Sequence, residues 1–410
     1  MLNSCMQFNV KMQDIIASYS VYWNTVVTMI LTGLLVLMFP VVALSGPAEV
    51  SPVRASGGMA TDFKSFKLEP SKNPVPLPNK SLTSEDRIII DQAESMFDRN
   101  QSLSIVMIEK GQLVFEKYKT PATPTSLNFS WSMSKSLTAY TVGALMCEGK
   151  IPDLNKQAKL YSEELNGTVY GEATVKNLLT MSSGVREPLF AGNLIYKQPG
   201  TCDPAKDCDG WLMQRAGLMS GLDLIKHDPN RDTSWGQGVE SGSRFAYNAT
   251  DTLSLGNIAE HNGGFIESFN KHIWSKAGTF APGAWMLDRD GKAVTQAGFS
   301  ASSKDWGRLA MFTVKQLKSE DKCISSFMKE ATTTQISNHG RNGGKAFSGY
   351  GYQTWVMPEK WGTPASYWWV GFGGQRVAID PVTERILVIT SSREDYMDEI
   401  YKLFNAWQRQ

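Results

Sequence analysis

A serine and a lysine three positions apart, Ser132 and Lys135, are the residues of this chain best placed to do chemistry. Residues three apart share one face of a helix, so the hydroxyl and the amine can meet without help from a distant segment. The following turns, 139–146, are apolar enough to be buried. Burial and the positive end of the helix dipole both favour the neutral amine that a base requires. The spacing therefore predicts a nucleophilic serine with Lys135 as its base.

The SxxK spacing is not specific by itself, and the sequence context separates the four pairs that have it. An N-capping serine with a lysine whose stem lies along the surface remains the structural alternative for Ser132 and Lys135. Two other pairs lie in mixed helical stretches without companion features, and one belongs to an acidic, solvated run. These are Ser268/Lys271, Ser326/Lys329 and Ser319/Lys322.

Other catalytic patterns are missing from the sequence. No GxSxG segment occurs, so a nucleophile elbow of the Ser-His-Asp type is not expected. The four histidines form no paired ligand pattern, and we expect no metal and no cofactor. They are His227, His261, His272 and His339.

Two segments carry a resemblance to known proteins. The segments 128–151 (NFSWSMSKSLTAYTVGALMCEGKI) and 173–185 (ATVKNLLTMSSGV) resemble the serine β-lactamase-related family. This family contains class C β-lactamases, D-alanyl-D-alanine carboxypeptidases, esterases and nylon-oligomer (aminohexanoate-dimer) hydrolases. The likeness runs from about Leu82 onward and is greatest for the nylon-oligomer-hydrolase-like branch. It implies a β-lactamase/transpeptidase-like fold and a covalent acyl-enzyme on Ser132.

The family's second motif, YxN, corresponds to Tyr247 within FAYNATDTLSLG. The resemblance implies that this phenol exchanges protons with the nucleophile and the leaving group. A core aromatic preceding a helix is the structural alternative. The third motif position is Ala249, and the adjacent Asn248 would point elsewhere. This departure removes an amide that contacts the substrate carbonyl in β-lactamases, and it argues against that activity.

The third family motif, KTG or HTG, is absent near the C-terminus, and the KAG at Lys276 is too early to replace it. The segment 368–381 (WWVGFGGQRVAIDP) takes its place. Its Phe372 N–H would pair with the Ser132 N–H as an oxyanion hole. Loss of the lysine removes the cation that holds the carboxylate of penicillins and peptidoglycan stems. Substrate contacts are expected from Gly371, Gly373 and Trp369, although a Gly-rich bulge, and a core position for Trp368 and Trp369, remain alternatives.

Strand patterns at both ends of the domain and helices between them predict an α+β fold. One antiparallel sheet is expected, flanked by helices and completed by segments from both ends, with an inserted mainly helical region. The stretch Leu189–Gly242 is predicted to be loop-rich with weak helices. Helices are predicted at Glu85–Arg99, Ser132–Met146, Thr174–Thr180, Tyr247–Asn262 and Tyr396–Trp407. Strands are predicted within Ser104–Tyr118 (a hairpin turning at Lys110-Gly111), Tyr350–Val356, Tyr367–Val370, Arg376–Ile379 and Ile386–Thr390.

The N-terminal segment differs from the rest of the chain. No charged side chain occurs from Ile15 to Ala48, and Val26–Leu44 is apolar and nearly long enough to cross a bilayer. We therefore expect a signal peptide or membrane anchor at 1–45, a linker at 46–81 and a hydrolase domain at 82–410. The domain would be exported, either periplasmic or anchored to the inner membrane with its catalytic part outside. A cytoplasmic protein with a covered N-terminal helix is the alternative.

The cysteines and the net charge bear on disulfides and on nucleic-acid binding. Cys202 and Cys208 bracket a short polar loop and could form a disulfide, whereas Cys147 is expected to be buried and inert. The net charge of +1 gives no indication of a nucleic-acid surface.

Together these features favour hydrolysis of a small ester or linear amide through an acyl-enzyme. A β-lactamase or D-alanyl-D-alanine carboxypeptidase is one alternative. A membrane-tethered, non-catalytic binding protein with the same fold is another.

Overall fold

The computed structural model describes residues 64–185, 220–227, 240–339, 346–360, 362–392 and 396–410. In this part of the chain, the strands form two antiparallel sheets, one of seven strands and one of four. The strands are β1 Ser65–Leu68, β2 Ser102–Glu109, β3 Gln112–Tyr118, β4 Asn128–Phe129, β5 Gly283–Met286, β6 Phe299–Ala301, β7 Gly349–Tyr350, β8 Trp355–Met357, β9 Ser366–Gly371, β10 Gln375–Asp380 and β11 Arg385–Ser391.

Helices surround both sheets. The α-helices are α1 Ser84–Arg99, α2 Ser134–Cys147, α3 Val169–Glu172, α4 Val175–Leu179, α5 Gly221–His227, α6 Ala249–His261, α7 Phe265–Phe269, α8 Ser303–Leu317, α9 Lys322–Ala331 and α10 Met397–Gln408. None of the helices in the described residues has both the length and the apolar character needed to cross a bilayer.

The large sheet has the order β3-β2-β11-β10-β9-β8-β7, so the N-terminal hairpin extends a sheet built from C-terminal strands. The hairpin turns at Lys110 and Gly111, where φ is 47° and 78°, as a two-residue turn between antiparallel strands requires. The predicted α+β architecture, with a sheet completed from both ends of the domain, is confirmed.

Alternate side chains along the central strands point into two different apolar cores. On β11, Ile386 and Val388 face the core that includes α2 and α8, whereas Leu387 and Ile389 face the core that includes α1 and α10. Side chains of a strand point to opposite faces in turn, so the sheet is covered by helices on both sides. The helix α2 is consequently buried along most of its length.

Several boundaries differ from the sequence-based expectation. The segment from Ser65 is not a loose lead-in, because β1 pairs with β5 over four residues. The expected strand at Tyr350–Val356 is two short strands, because the backbone turns at Gln353 with φ 52°. The helix expected from Tyr247 begins at Ala249, after an Asn248 cap. The apolar segment 26–44, expected to be a signal peptide or anchor, lies outside the described residues, as do the Cys202–Cys208 loop and most of Leu189–Gly242.

The expectation for Cys147 was wrong. Its sulfur is bonded to that of Cys323, 176 residues later in the chain. The bond joins the last residue of α2 to the first turn of α9. The sequence carried no signal for this pair, since the two cysteines are brought together only by helix packing.

Candidate active site

Ser132 lies at a sharp turn between β4 and α2. A single 3-10 turn, Trp131–Met133, precedes the helix, and Trp131 adopts φ 48°, which a bulky side chain rarely does. The Ser130 N–H donates to the Phe299 carbonyl at 2.8 Å, which ties the turn to the small sheet. Ser132 is half-buried between the buried Trp131 and Met133, so a strained, well-anchored turn presents its hydroxyl.

Lys135 lies in the first turn of α2 and is only 2% exposed. Its Nζ donates to Ser132 Oγ at 3.2 Å and to the Gln296 carbonyl at 2.7 Å. Both distances are in the hydrogen-bonding range. The arrangement of an N-capping serine and a surface lysine does not describe this pair, because the amine points inward and touches the hydroxyl.

Tyr247 lies next to this pair, in the segment that leads into α6. Its ring centroid is 5.4 Å from Lys135 Nζ. The ring also stacks on Trp355, with centroids 5.7 Å apart and planes at 21°, and meets Tyr350 edge-on at 6.4 Å. The Ala246 N–H donates to the Met181 carbonyl at 2.8 Å, which fixes the preceding backbone. Chain segments 132–135 and 245–247, far apart in sequence, therefore meet.

Asn248 has a structural position. Its Oδ1 accepts from the Thr250 N–H at 2.8 Å as the helix cap, and its Nδ2 donates to the Tyr170 hydroxyl at 2.9 Å. The side chain is fully buried in these contacts. The third position of the YxN-like segment is the half-buried Ala249, which presents no amide.

Gly371 and Phe372 lie against the Ser132 turn. A Cβ atom on residue 371 would overlap the carbonyl oxygen of Ser130, so the end of β9 touches the main chain two residues before the serine. Gly373 then turns with φ 71° into β10. The Phe372 side chain is 58% exposed, and its ring packs edge-on against Trp131 with centroids 5.4 Å apart.

Trp368 and Trp369 both lie in the core. Each is 0% exposed. The Trp369 indole N–H donates to the Tyr140 hydroxyl at 3.0 Å, and that of Trp368 donates to Ser366 Oγ at 3.0 Å. Of the two alternatives for this pair, the structure gives the core position. Trp369, expected as a substrate contact, has no exposed surface with which to make one.

Three neighbours of the site were missed by sequence reasoning. Gln296 acts through its main-chain carbonyl, which leaves no signature in a side-chain pattern. Trp355 and Trp131 are aromatic residues that were not singled out among 12 tryptophans. A tryptophan adjacent to the candidate nucleophile was a usable signal, whereas the position of Trp355 depends on strand register.

The structure does not support the other candidate sites that the sequence raised. Lys271, of a second SxxK pair, points to Glu148 with Nζ–Oε1 at 2.5 Å. Within the described ranges, no group of three or more His, Cys, Asp and Glu side chains could hold a metal ion.

Comparison with known proteins identifies the family and the fold. The signature of the family described as Beta-lactamase matches residues 90–408. A 6-aminohexanoate-dimer hydrolase from Paenarthrobacter ureafaciens is 22% identical over 302 residues, 71% of this chain and 73% of that protein. A Bacillus anthracis structure, provisionally assigned as a 6-aminohexanoate-dimer hydrolase, superposes with TM-score 0.63 at 22% identity, over 84% of this chain and 89% of that one. EstCE1, described as a hydrolase with promiscuous acyltransferase activity, gives TM-score 0.58 at 15% identity, over 80% and 100%.

The sheet order, the flanking helices and these superpositions define a β-lactamase/transpeptidase-like fold. The chain belongs to the Beta-lactamase family and is a β-lactamase-fold hydrolase.

Proposed function

We propose that this protein is a serine hydrolase that cleaves an ester or a linear amide through an acyl-enzyme on Ser132. The observation that carries the proposal is the buried Lys135 amine at 3.2 Å from the Ser132 hydroxyl. A buried amine is costly unless it is hydrogen-bonded, and Lys135 meets this need with the Ser132 hydroxyl and the Gln296 carbonyl. Nucleophile and base in direct contact are the first requirement of covalent acyl transfer.

In the proposed mechanism, Lys135 and Tyr247 accept the proton of Ser132 as its Oγ attacks the substrate carbonyl carbon. The carbonyl oxygen becomes an oxyanion that the Ser132 and Phe372 N–H groups would stabilise. The close approach of Gly371 to Ser130 supports this, because it brings the Phe372 backbone alongside the nucleophile turn. The proton then passes to the leaving alcohol or amine, and water attacks the acyl-enzyme with the same residues as base and acid.

An ester or linear amide is favoured over a β-lactam by the residues at two motif positions. Ala249 provides no amide for a substrate carbonyl. The hairpin 366–380 contains a single cation, Arg376, which is buried and donates to the Gly371 and Gln375 carbonyls at 2.6 and 2.7 Å. It therefore does not replace the lysine of a KTG motif. The relative from Paenarthrobacter, named for an amide dimer, also supports a linear amide.

An exported location is part of the proposal. The apolar segment Val26–Leu44 supports it, as does the disulfide between Cys147 and Cys323, because disulfides persist mainly in oxidising compartments. The segment would be either a cleaved signal or an anchor in the inner membrane. Fractionation of the native host, followed by N-terminal sequencing of the mature chain, tests both.

Labelling with a fluorescent fluorophosphonate tests the nucleophile. The wild-type protein should be labelled, Ser132→Ala should not, and Ser268→Ala, from another SxxK pair, should be labelled like the wild type. A wild-type protein that resists labelling while a control serine hydrolase reacts would instead favour the non-catalytic binding protein.

Three substrates separate the possible activities of a labelled enzyme. Turnover of a 4-nitrophenyl ester or a linear aminohexanoate dimer without nitrocefin turnover would support the proposal. Rapid nitrocefin hydrolysis would make it a β-lactamase. Stable covalent labelling by a fluorescent penicillin would favour a carboxypeptidase.

A further inference from the structure

Phe372 occupies an unusual position for a large apolar side chain. It is 58% exposed, although its backbone lies at the start of the turn between β9 and β10, whose residues are buried except for Val370. Trp131 packs against one side of the Phe372 ring, and the rest of that ring is exposed. Exposing such a ring has a free-energy cost of about 25 cal/mol per Å² of apolar surface, so a ligand that covers it is favoured.

Both residues of the Trp131–Phe372 contact are linked to the Ser132 turn. Trp131, on which it packs, directly precedes Ser132 in sequence. Gly371, which directly precedes Phe372, touches the Ser130 carbonyl. Both aromatic residues therefore belong to the segments that flank the turn presenting Ser132.

Charge at this edge of the site also favours a neutral substrate. Arg376 is 4% exposed and its guanidinium is directed to main-chain carbonyls of its own hairpin. The Gln375 side chain is buried too, with Nε2 donating to the Ser391 carbonyl at 2.5 Å. Within the described residues of the hairpin 366–380, the exposed side chain at the turn is therefore an aromatic ring, and the side chains of Gln375 and Arg376 are directed elsewhere.

We infer that Trp131 and Phe372 form an apolar contact that selects substrates with an uncharged acyl chain and disfavours those whose acyl chain ends in a carboxylate. The inference rests on the proposed hydrolase function and specifies its substrate class. Phe372 acts through its side chain in specificity, separately from its N–H. A carboxylate placed against the ring would lose hydration without gaining a partner.

A matched pair of esters tests the selection. 4-Nitrophenyl hexanoate and 4-nitrophenyl hydrogen adipate have six-carbon acyl chains and differ in a terminal carboxylate. The wild-type enzyme should prefer the hexanoate by at least about tenfold in kcat/KM, the size of a typical apolar-pocket discrimination. Phe372→Ala should lower kcat/KM for the hexanoate more than for the adipate. Phe372→Lys should shift the preference toward the adipate by at least about tenfold, mainly through a lower KM for that ester.

Val382→Lys is the matched control for charge. Val382 is 72% exposed and follows β10 at its other end, about 20 Å along the hairpin from the Phe372 turn. This variant should keep the wild-type preference. A wild-type enzyme that treats both esters alike, or a Phe372→Lys variant with unchanged preference and an unchanged melting temperature, would overturn the inference while leaving the hydrolase proposal standing. Wild-type rates no higher than those of Ser132→Ala would overturn both.

Discussion

Gly371 lies directly against the carbonyl oxygen of Ser130, with no room for a Cβ atom between the two main chains. This contact joins the end of β9 to the turn that presents Ser132. Glycine permits so close a backbone approach, and a strand glycine often marks one. The relative position of the nucleophile and the Phe372 N–H therefore depends on the absence of a side chain at residue 371.

Gly371→Ala should force the two main chains apart. A displacement of about 1 Å at the reacting centre can cost about 10²-fold in rate, so we expect a loss of that size in kcat/KM for a 4-nitrophenyl ester. Stability should fall by only about 1–3 kcal/mol, as measured by urea denaturation. Gly149→Ala is the control, because residue 149 has φ 78° and no atom near a Cβ. It should lose some stability but no activity. Equal activity in the two variants would show that the contact does not position the site.

Replacement of Lys135 should remove the base without unfolding the protein. Lys135→Met should lower kcat by about 10³-fold, within the range of general-base contributions. The melting temperature should be unchanged or higher, because the substitution replaces a buried amine with an apolar side chain of similar length. Lys271→Ala, at an exposed SxxK lysine, should retain full kcat. A Lys135→Met variant with near-normal kcat would exclude the lysine as base.

Replacement of Tyr247 by phenylalanine separates its two possible roles. The variant keeps the ring that stacks on Trp355 but loses the hydroxyl. Loss of the phenol that transfers protons should lower kcat by about 10²-fold while the melting temperature changes by no more than about 2 °C. If the residue is only a core aromatic, kcat should stay the same. Single-turnover and steady-state rates on the same ester would show whether acylation or deacylation is slowed.

The disulfide between Cys147 and Cys323 should stabilise the domain with little effect on the chemical step. Removal of a native disulfide that closes a long loop typically costs about 2–5 kcal/mol. We expect this loss in urea denaturation of a Cys147→Ser/Cys323→Ser variant. Activity at 25 °C should be retained, since Lys135 lies twelve residues, about 18 Å, along the helix from the bond.

A reductant provides the check on this assignment. Dithiothreitol should destabilise the wild-type protein toward the variant's value and should leave the variant unchanged. A wild-type protein and a double variant of equal stability would contradict the contribution of the bond.

A buried ion cluster makes the stability of the fold depend on pH in the acidic range. Glu109 contacts Lys80, which also pairs with Asp86 at 2.8 Å, and accepts from Arg385 Nε at 2.7 Å. Burial alone would raise the pKa of Glu109, but the hydrogen bonds from Lys80 and Arg385 outweigh it and hold that pKa below the usual glutamate value. The cluster therefore stabilises the fold above the unfolded pKa of about 4.3 and loses this contribution as pH falls through the folded pKa.

Glu109→Gln should accordingly destabilise the protein by about 3 kcal/mol at pH 7, because it leaves the buried Arg385 and the half-buried Lys80 with one partner fewer. The difference from wild type should shrink between pH 5 and pH 3, as seen in urea denaturation at each pH. Glu94→Gln removes an exposed pair with Lys117 and should cost less than about 1 kcal/mol throughout. A Glu109→Gln difference that stays constant down to pH 3 would argue against the depressed pKa.

The sequence predicted the parts of this fold that are set by local pattern. The hairpin at Lys110-Gly111, the cap at Thr174 and the buried helix after Ser132 each follow from neighbouring residues. The small sheet was missed because its strands are two to four residues long and depend on pairing between distant segments. The contact of Ser132 with Lys135 follows from helical spacing, whereas the stack of Tyr247 on Trp355 joins the segment before α6 to β8, which no local pattern predicts.

The pairing of β2 with β11 has a consequence for the order in which this domain can fold. Ser104 lies opposite Thr390, nearly the whole length of the domain apart in sequence. The middle of the large sheet therefore cannot form until β10 and β11 have been synthesised, and the hairpin of β2 and β3 must wait with an unpaired edge. Such distant pairing slows folding and exposes strands to aggregation. A nascent chain of this topology would depend on being kept unfolded until β11 has been synthesised.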